Sequence, residues 1–169
     1  MKKALVLVAA VGFALLLQTT VVSFIFGQTA DIDLILVVVV YIALKIGPVP
    51  GLLVGSFAGL SQDLLASSVF GVNGLAKSLV GVIVAGIGQR FMMAGTLFRA
   101  SMFMTATAIN ILIIVVLGVL FGIEAFPVSF GAVLSQMIIN TVVGVMAVMI
   151  GEGVVKFFQQ RRFSRSRRL

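Results

Sequence analysis

The chain contains no cysteine and no histidine. Disulfides, thiol nucleophiles and thiolate or imidazole zinc sites are thereby excluded, and so is the side chain that usually carries protons near neutral pH. Charged residues make up only 10% of the sequence and acidic residues number five, whereas soluble domains carry about 25% charged residues. Tryptophan is missing and tyrosine occurs once, as Tyr41. With so few titratable groups, the sequence offers no Ser-His-Asp set, no His/Cys metal cluster and no pair of carboxylates close in one segment. Gly71-Val72-Asn73-Gly74 is glycine-rich but follows no strand, so it is not a phosphate cradle. The chain is therefore expected to be no enzyme and to carry no cofactor.

What remains is apolar. Hydrophobic residues make up 61% of the 169 residues, and the mean hydropathy is +1.27. Such a chain is expected in lipid, where only helices and closed barrels satisfy the backbone. Barrel strands alternate apolar with polar residues, but runs such as LILVVVVYIAL and INILIIVVLGVLFG are continuous. The predicted class is all-α, a polytopic six-helix transmembrane bundle spanning residues 1–155, followed by a basic tail, 156–169. The predicted spans are Ala4–Phe26, Ile32–Ile46, Val49–Leu65, Leu75–Gln89, Ala100–Gly122 and Phe130–Val155. The second is short for a bilayer, at about 22 Å.

The net charge of +7 resembles a nucleic-acid signal, but six of the twelve basic residues lie in the last fourteen positions. In a membrane protein that clustering points to a cytoplasmic end on anionic lipid, not to nucleic acid. With both termini in the cytoplasm, eleven of the twelve basic residues fall inside and Lys77 is the exception. Asp31, Asp33, Asp63 and Glu124 fall outside, Asp31, Asp33 and Glu124 as surface anchors. Arg90 and Arg99 bracket one inner loop as topology determinants and candidate cytoplasmic contacts. Asn110 and Asn140 are placed to cross-bond the last two spans.

The stretch from Gly47 to Lys77 holds the chemistry. Gly47, Gly51, Gly55 and Gly59 recur every four residues and line one face of a helix. Small residues there let two backbones approach in lipid. Two uses are open: packing within the bundle, or docking of a partner's transmembrane helix. Asp63 lies deep in apolar sequence, where a carboxylate needs a partner, and Lys77 opens the antiparallel neighbour. The two are expected to pair, with Gln62 and Asn73 completing a hydrogen-bonded network. That network reads either as a structural clamp or as a polar site for a ligand or an activating contact.

Taken in order, Leu17-Gln18-Thr19-Thr20, Asp33-Leu34, Gly47 through Gly59, Gly59-Leu60-Ser61-Gln62-Asp63 and Gly71-Val72-Asn73-Gly74-Leu75-Ala76-Lys77 form a pattern that resembles the MreD family over essentially the whole length. Ile32 stands where the family often has proline. The resemblance implies a scaffold of the bacterial rod-shape machinery in the cytoplasmic membrane. It implies MreC as partner, with MreB, RodA and a class B penicillin-binding protein alongside, in lateral peptidoglycan synthesis. It also implies a fold like the substrate-binding subunits of energy-coupling-factor vitamin transporters. That likeness supplies the alternative function, a transporter subunit, against which the scarcity of aromatic and hydrogen-bonding groups counts.

Overall fold

The computed structural model describes residues 9, 11–22, 32–65, 69–90, 95–122 and 129–166, with side chains to residue 20 in the first helix, to residue 88 in the fourth and to residue 153 in the last. Among these residues there is no strand. Helix α1 is Val11–Thr20, and its end passes into a π-helical stretch, Leu17–Val22. The others are α2 (Leu34–Ile46), α3 (Pro48–Leu65), α4 (Val72–Arg90), α5 (Thr96–Leu120) and α6 (Phe130–Ser166).

Helix α2 is the axis of the bundle. Its sequence is apolar on every side, the pattern of a helix buried all round, and Ile35, Leu36, Val37, Val39, Val40, Ile42 and Ala43 are buried. Asp33 starts it as an N-cap, accepting a hydrogen bond from Leu36 N at 2.9 Å. Gly47, at φ 128°, ends it, and Pro48 opens α3 at once. The left-handed backbone at Gly47 is a conformation that a residue with Cβ rarely adopts. At 13 residues, about 20 Å long, α2 is shielded by its neighbours from the lipid it could not span alone.

Helices α3 and α4 form a close antiparallel hairpin, and the glycine repeat is the reason. A methyl group placed on Gly51 would sit 3.0 Å from Gly81 O, one on Gly55 2.8 Å from Ser78 N, and one on Gly59 2.6 Å from Gly74 Cα. These are backbone atoms, which cannot step aside. The face formed by Gly51, Gly55 and Gly59 is therefore occupied within the bundle by α4, which leaves no room there for a partner helix. Gly47 does not share it, because it lies in the turn before α3.

Helices α5 and α6 pair in the same manner on a smaller scale, with the Phe103 ring seated against Gly144. Leu36, Val40, Ala43, Val80, Val84, Phe103, Ala106 and Val148 join α2, α4, α5 and α6 in one core, while Ile35, Val39 and Ala58 pack with Val11, Leu15 and Val54 of α1 and α3.

Several boundaries differ from those read in the sequence. Helix α4 starts at Val72 instead of Leu75, and α5 at Thr96 instead of Ala100, so Asn73 and Arg99 are helical. Helix α6 runs on through Val155 to Ser166. By length and apolarity α5 and the Phe130–Gly153 part of α6 could each cross a membrane; Val11–Thr20, α2 and Val72–Gly88 are apolar but shorter.

Candidate functional site

The site grows from Asp63, in the last turn of α3. Because α4 begins early, its open first-turn N–H groups face this carboxylate. Asp63 Oδ2 accepts from Gly71 N at 2.9 Å and Gly74 N at 3.3 Å; Oδ1 accepts from Asn73 N at 3.3 Å. An anion at a helix N-terminus is favoured by the helix dipole as well as by these bonds. Asn73 Nδ2 adds a bond to Oδ1 at 2.8 Å, and Asn73 Oδ1 in turn accepts from Lys77 Nζ at 3.1 Å.

Lys77 is 0% exposed, and its ion-pair partner is Asp33. Nζ lies 2.8 Å from Asp33 Oδ2. The expected direct pair of Lys77 with Asp63 is thus corrected: Asn73 stands between them, and the pairing carboxylate comes from the start of α2. The reason is register. Asp63 faces the very start of α4 from the end of α3, whereas Lys77 lies one turn deeper than Asn73, level with the α2 N-terminus. Asp33 is correspondingly no outer-surface anchor, since only 5% of it is exposed.

From Asp33 the chain of bonds continues. Its backbone N–H donates to Asn140 Oδ1 of α6 at 2.9 Å, Asn140 Nδ2 donates to Thr107 Oγ1 of α5 at 3.4 Å, and Thr107 Oγ1 donates to Phe103 O at 3.0 Å. On the other side, Ile35 N donates to Gln18 Oε1 at 3.2 Å. Asn140 thus bonds α5 through Thr107 and not through Asn110. One polar series, with the α2 N-terminus at its centre, touches all six helices.

Beside it lies a cavity of about 290 Å³, whose polar wall is Gln18, Asp33, Gln62, Asn73, Asn110 and Gln136. Gln62, expected in the network, lines this cavity, and its buried Oε1 has no hydrogen-bond partner; the same holds for Asn110 Oδ1. The rest of the lining is aliphatic, with Ile111, Ile114, Val115 and Val133 among its residues.

A second polar cluster marks the other end of the bundle. Arg99 holds Glu152 with both nitrogens of its fork, Nη1 to Oε2 at 3.0 Å and Nη2 to Oε1 at 2.8 Å, and Lys45 Nζ reaches Oε1 at 2.5 Å. Arg99 therefore has an intramolecular partner. Asp31 and Glu124 lie outside the described residues, as do the side chains of Arg90 and of the arginine tail.

Sequence reasoning found Asp63, Asn73 and Lys77 as a group but missed Asp33, Thr107 and Gln18 as members. A signal for Asp33 was present: an aspartate directly before an apolar run is an N-cap signature.

No match was found among curated proteins, and none among solved structures. The transporter-subunit alternative gains no support from these comparisons. A family model described as rod shape-determining protein MreD matches residues 1–160. With its apolar helices and the paired motifs of α2, α3 and α4 falling inside that match, the chain belongs to the MreD family, membrane proteins of rod-shape determination.

Proposed function

We propose that the chain is an integral-membrane scaffold of the rod-shape machinery. In this reading it is a multi-pass protein of the cytoplasmic membrane with six spans and both termini inside. It binds a single-pass MreC-like protein and supports lateral peptidoglycan synthesis beside MreB-, RodA- and class B penicillin-binding-protein-type partners, its basic tail lying on anionic lipid. The observation that carries this reading is the family match over residues 1–160.

Two features of the bundle support it. The ionised side chains of the polar series bond to one another and to helix termini, as a rigid framework requires. The outer surfaces of α5 and α6 are apolar, with Leu112, Val116, Val119, Ile138, Val142 and Met146 exposed. Such surfaces suit lipid and the single helix of a membrane partner. Likeness to energy-coupling-factor subunits belongs to this reading as a fold only.

The test is purification from membranes in mild detergent together with depletion in a rod-shaped host. Recovery of a single-pass MreC-like protein with the chain, and rounding of depleted cells, is the expected result. Depleted cells that stay rod-shaped overturn the reading.

A further inference from the structure

We propose that the cavity between α1, α3, α5 and α6 binds a neutral polyhydroxyl group, a sugar or glycerol moiety. The proposal rests on two orphaned acceptors and on the chemistry of the wall. Asn110 is 1% exposed, it lines the cavity, and its Oδ1 has no hydrogen-bond partner. Gln62 Oε1, on another helix, is in the same condition and lines the same cavity. Buried carbonyl oxygens without donors are unusual, because each has lost its hydrogen bonds to water. Two on residues that line one cavity mark a place where a group that brings donors can draw each amide round to meet it.

The wall narrows the class. Five of its polar members, Gln18, Gln62, Asn73, Asn110 and Gln136, are carboxamides. Asn73 is engaged by Asp63 and Lys77, and Gln18 Oε1 by Ile35 N. That leaves Gln62, Asn110 and Gln136, and a carboxamide offers both donor and acceptor, as a hydroxyl does. The one charged member, Asp33, is already neutralised by Lys77 and bonded to Leu36 N. An anionic ligand would meet this carboxylate with no cation in the wall, and a cationic one would meet no uncompensated negative charge. Hydroxyl groups match on both counts. The aliphatic lining, with Ile114 and Val133, suits the carbon face of such a molecule. The volume, about 290 Å³, lies near the lower end for small-molecule sites, about 300 Å³.

The group can arrive free in solution or carried by a lipid, and one experiment separates these sources. Full-length protein is placed in phosphatidylcholine nanodiscs doped with a glucosyl diacylglycerol, and retained lipid is counted by native mass spectrometry. In parallel, thermal unfolding is followed with millimolar glucose or glycerol. Retention of the glucosyl lipid over phosphatidylcholine supports a lipid-borne headgroup, and a rise in Tm with glucose or glycerol supports the free form. In either case Asn110→Leu and Gln62→Leu, made separately, should each weaken binding by about three- to tenfold, the worth of one neutral hydrogen bond. Neither change should lower the Tm measured without ligand, since each removes an unpaired acceptor; should one variant fail to accumulate, the other decides. The proposal is overturned if neither sugar source is bound above phosphatidylcholine, so that water alone fills the cavity, or if both variants bind as well as the parent chain.

Discussion

Lys77 Nζ lies 2.8 Å from Asp33 Oδ2 with both side chains shut off from the surroundings, and this pair ties α4 to the N-terminus of α2. A buried pair contributes little net stability over an apolar substitute, but losing one partner is costly because the other stays buried and charged. Lys77→Met should therefore destabilise the protein by roughly 3–5 kcal/mol, read as a lower Tm in detergent. Adding Asp33→Asn should recover most of that loss, since Asn removes the stranded charge and still caps a helix. Adding Asp63→Asn instead should not, and recovery by Asp63→Asn would reassign the pair.

Asp63 acts on the N-terminus of α4. Asp63→Ala should cost about 2–3 kcal/mol, the scale for hydrogen bonds to a charged group. Hydrogen exchange should show faster exchange at the amides of Gly71, Asn73 and Gly74, while amides in the middle of α5 stay protected. Uniform loosening of the whole bundle would argue against a local cap.

Gly55 and Gly59 meet backbone atoms of α4, so Gly55→Ala and Gly59→Ala should each lower stability by at least the 1–3 kcal/mol typical of overpacking. Gly86 supplies the control, since nothing lies within 4 Å of a methyl group placed there. Gly86→Ala should be neutral or slightly stabilising, as alanine is the better helix former. Equal Tm values for the three variants would remove close packing as the role of the glycine face.

Glu152 is held by Arg99 and Lys45 at a partly exposed site, with about a quarter of its side chain open (28%). Solvent screening keeps such clusters weak, so Glu152→Gln should cost less than about 1 kcal/mol. The small change in Tm should shrink further in high salt.

The chain is naturally free of cysteine, so single introduced thiols report orientation without background. Val69→Cys, near the polar series, should react with an impermeant maleimide added outside intact spheroplasts. Leu97→Cys, at the opposite end and 85% exposed, should react only after the membrane is opened. The reverse pattern would invert the proposed topology.

The helical class, the order of the helices and the α3–α4 hairpin were legible because their signals are local: long apolar runs, a four-residue glycine period, and glycine and proline at the breaks. The membership of Asp63, Asn73 and Lys77 in one polar group was legible for the same reason, as the three lie within fifteen positions. Which carboxylate Lys77 meets was not, because it depends on the depth at which α2 sits beside α4, and that is set by packing of Val40, Ala43, Val80 and Val84. The early start of α4 was hidden by Gly71 and Gly74, which read as turn residues although Asp63 holds the turn in helical register. Of the cavity only Gln62 and Asn73 stood out in the sequence as part of a polar site, since a void is bounded by residues from distant helices.

Asn140 gives the polar series a temporal side. Asp33 and Lys77 are made early, yet the amide of Asp33 waits for a side chain on α6, the same one that donates to the Thr107 hydroxyl already bonded to Phe103 O. During synthesis the first five helices can gather in the membrane, but the polar ring around α2 stays open until α6 arrives. An assembly stalled before that point leaves the Asp33 amide without its acceptor. In this bundle, the arrival of α6 and the closure of the polar ring are the same event.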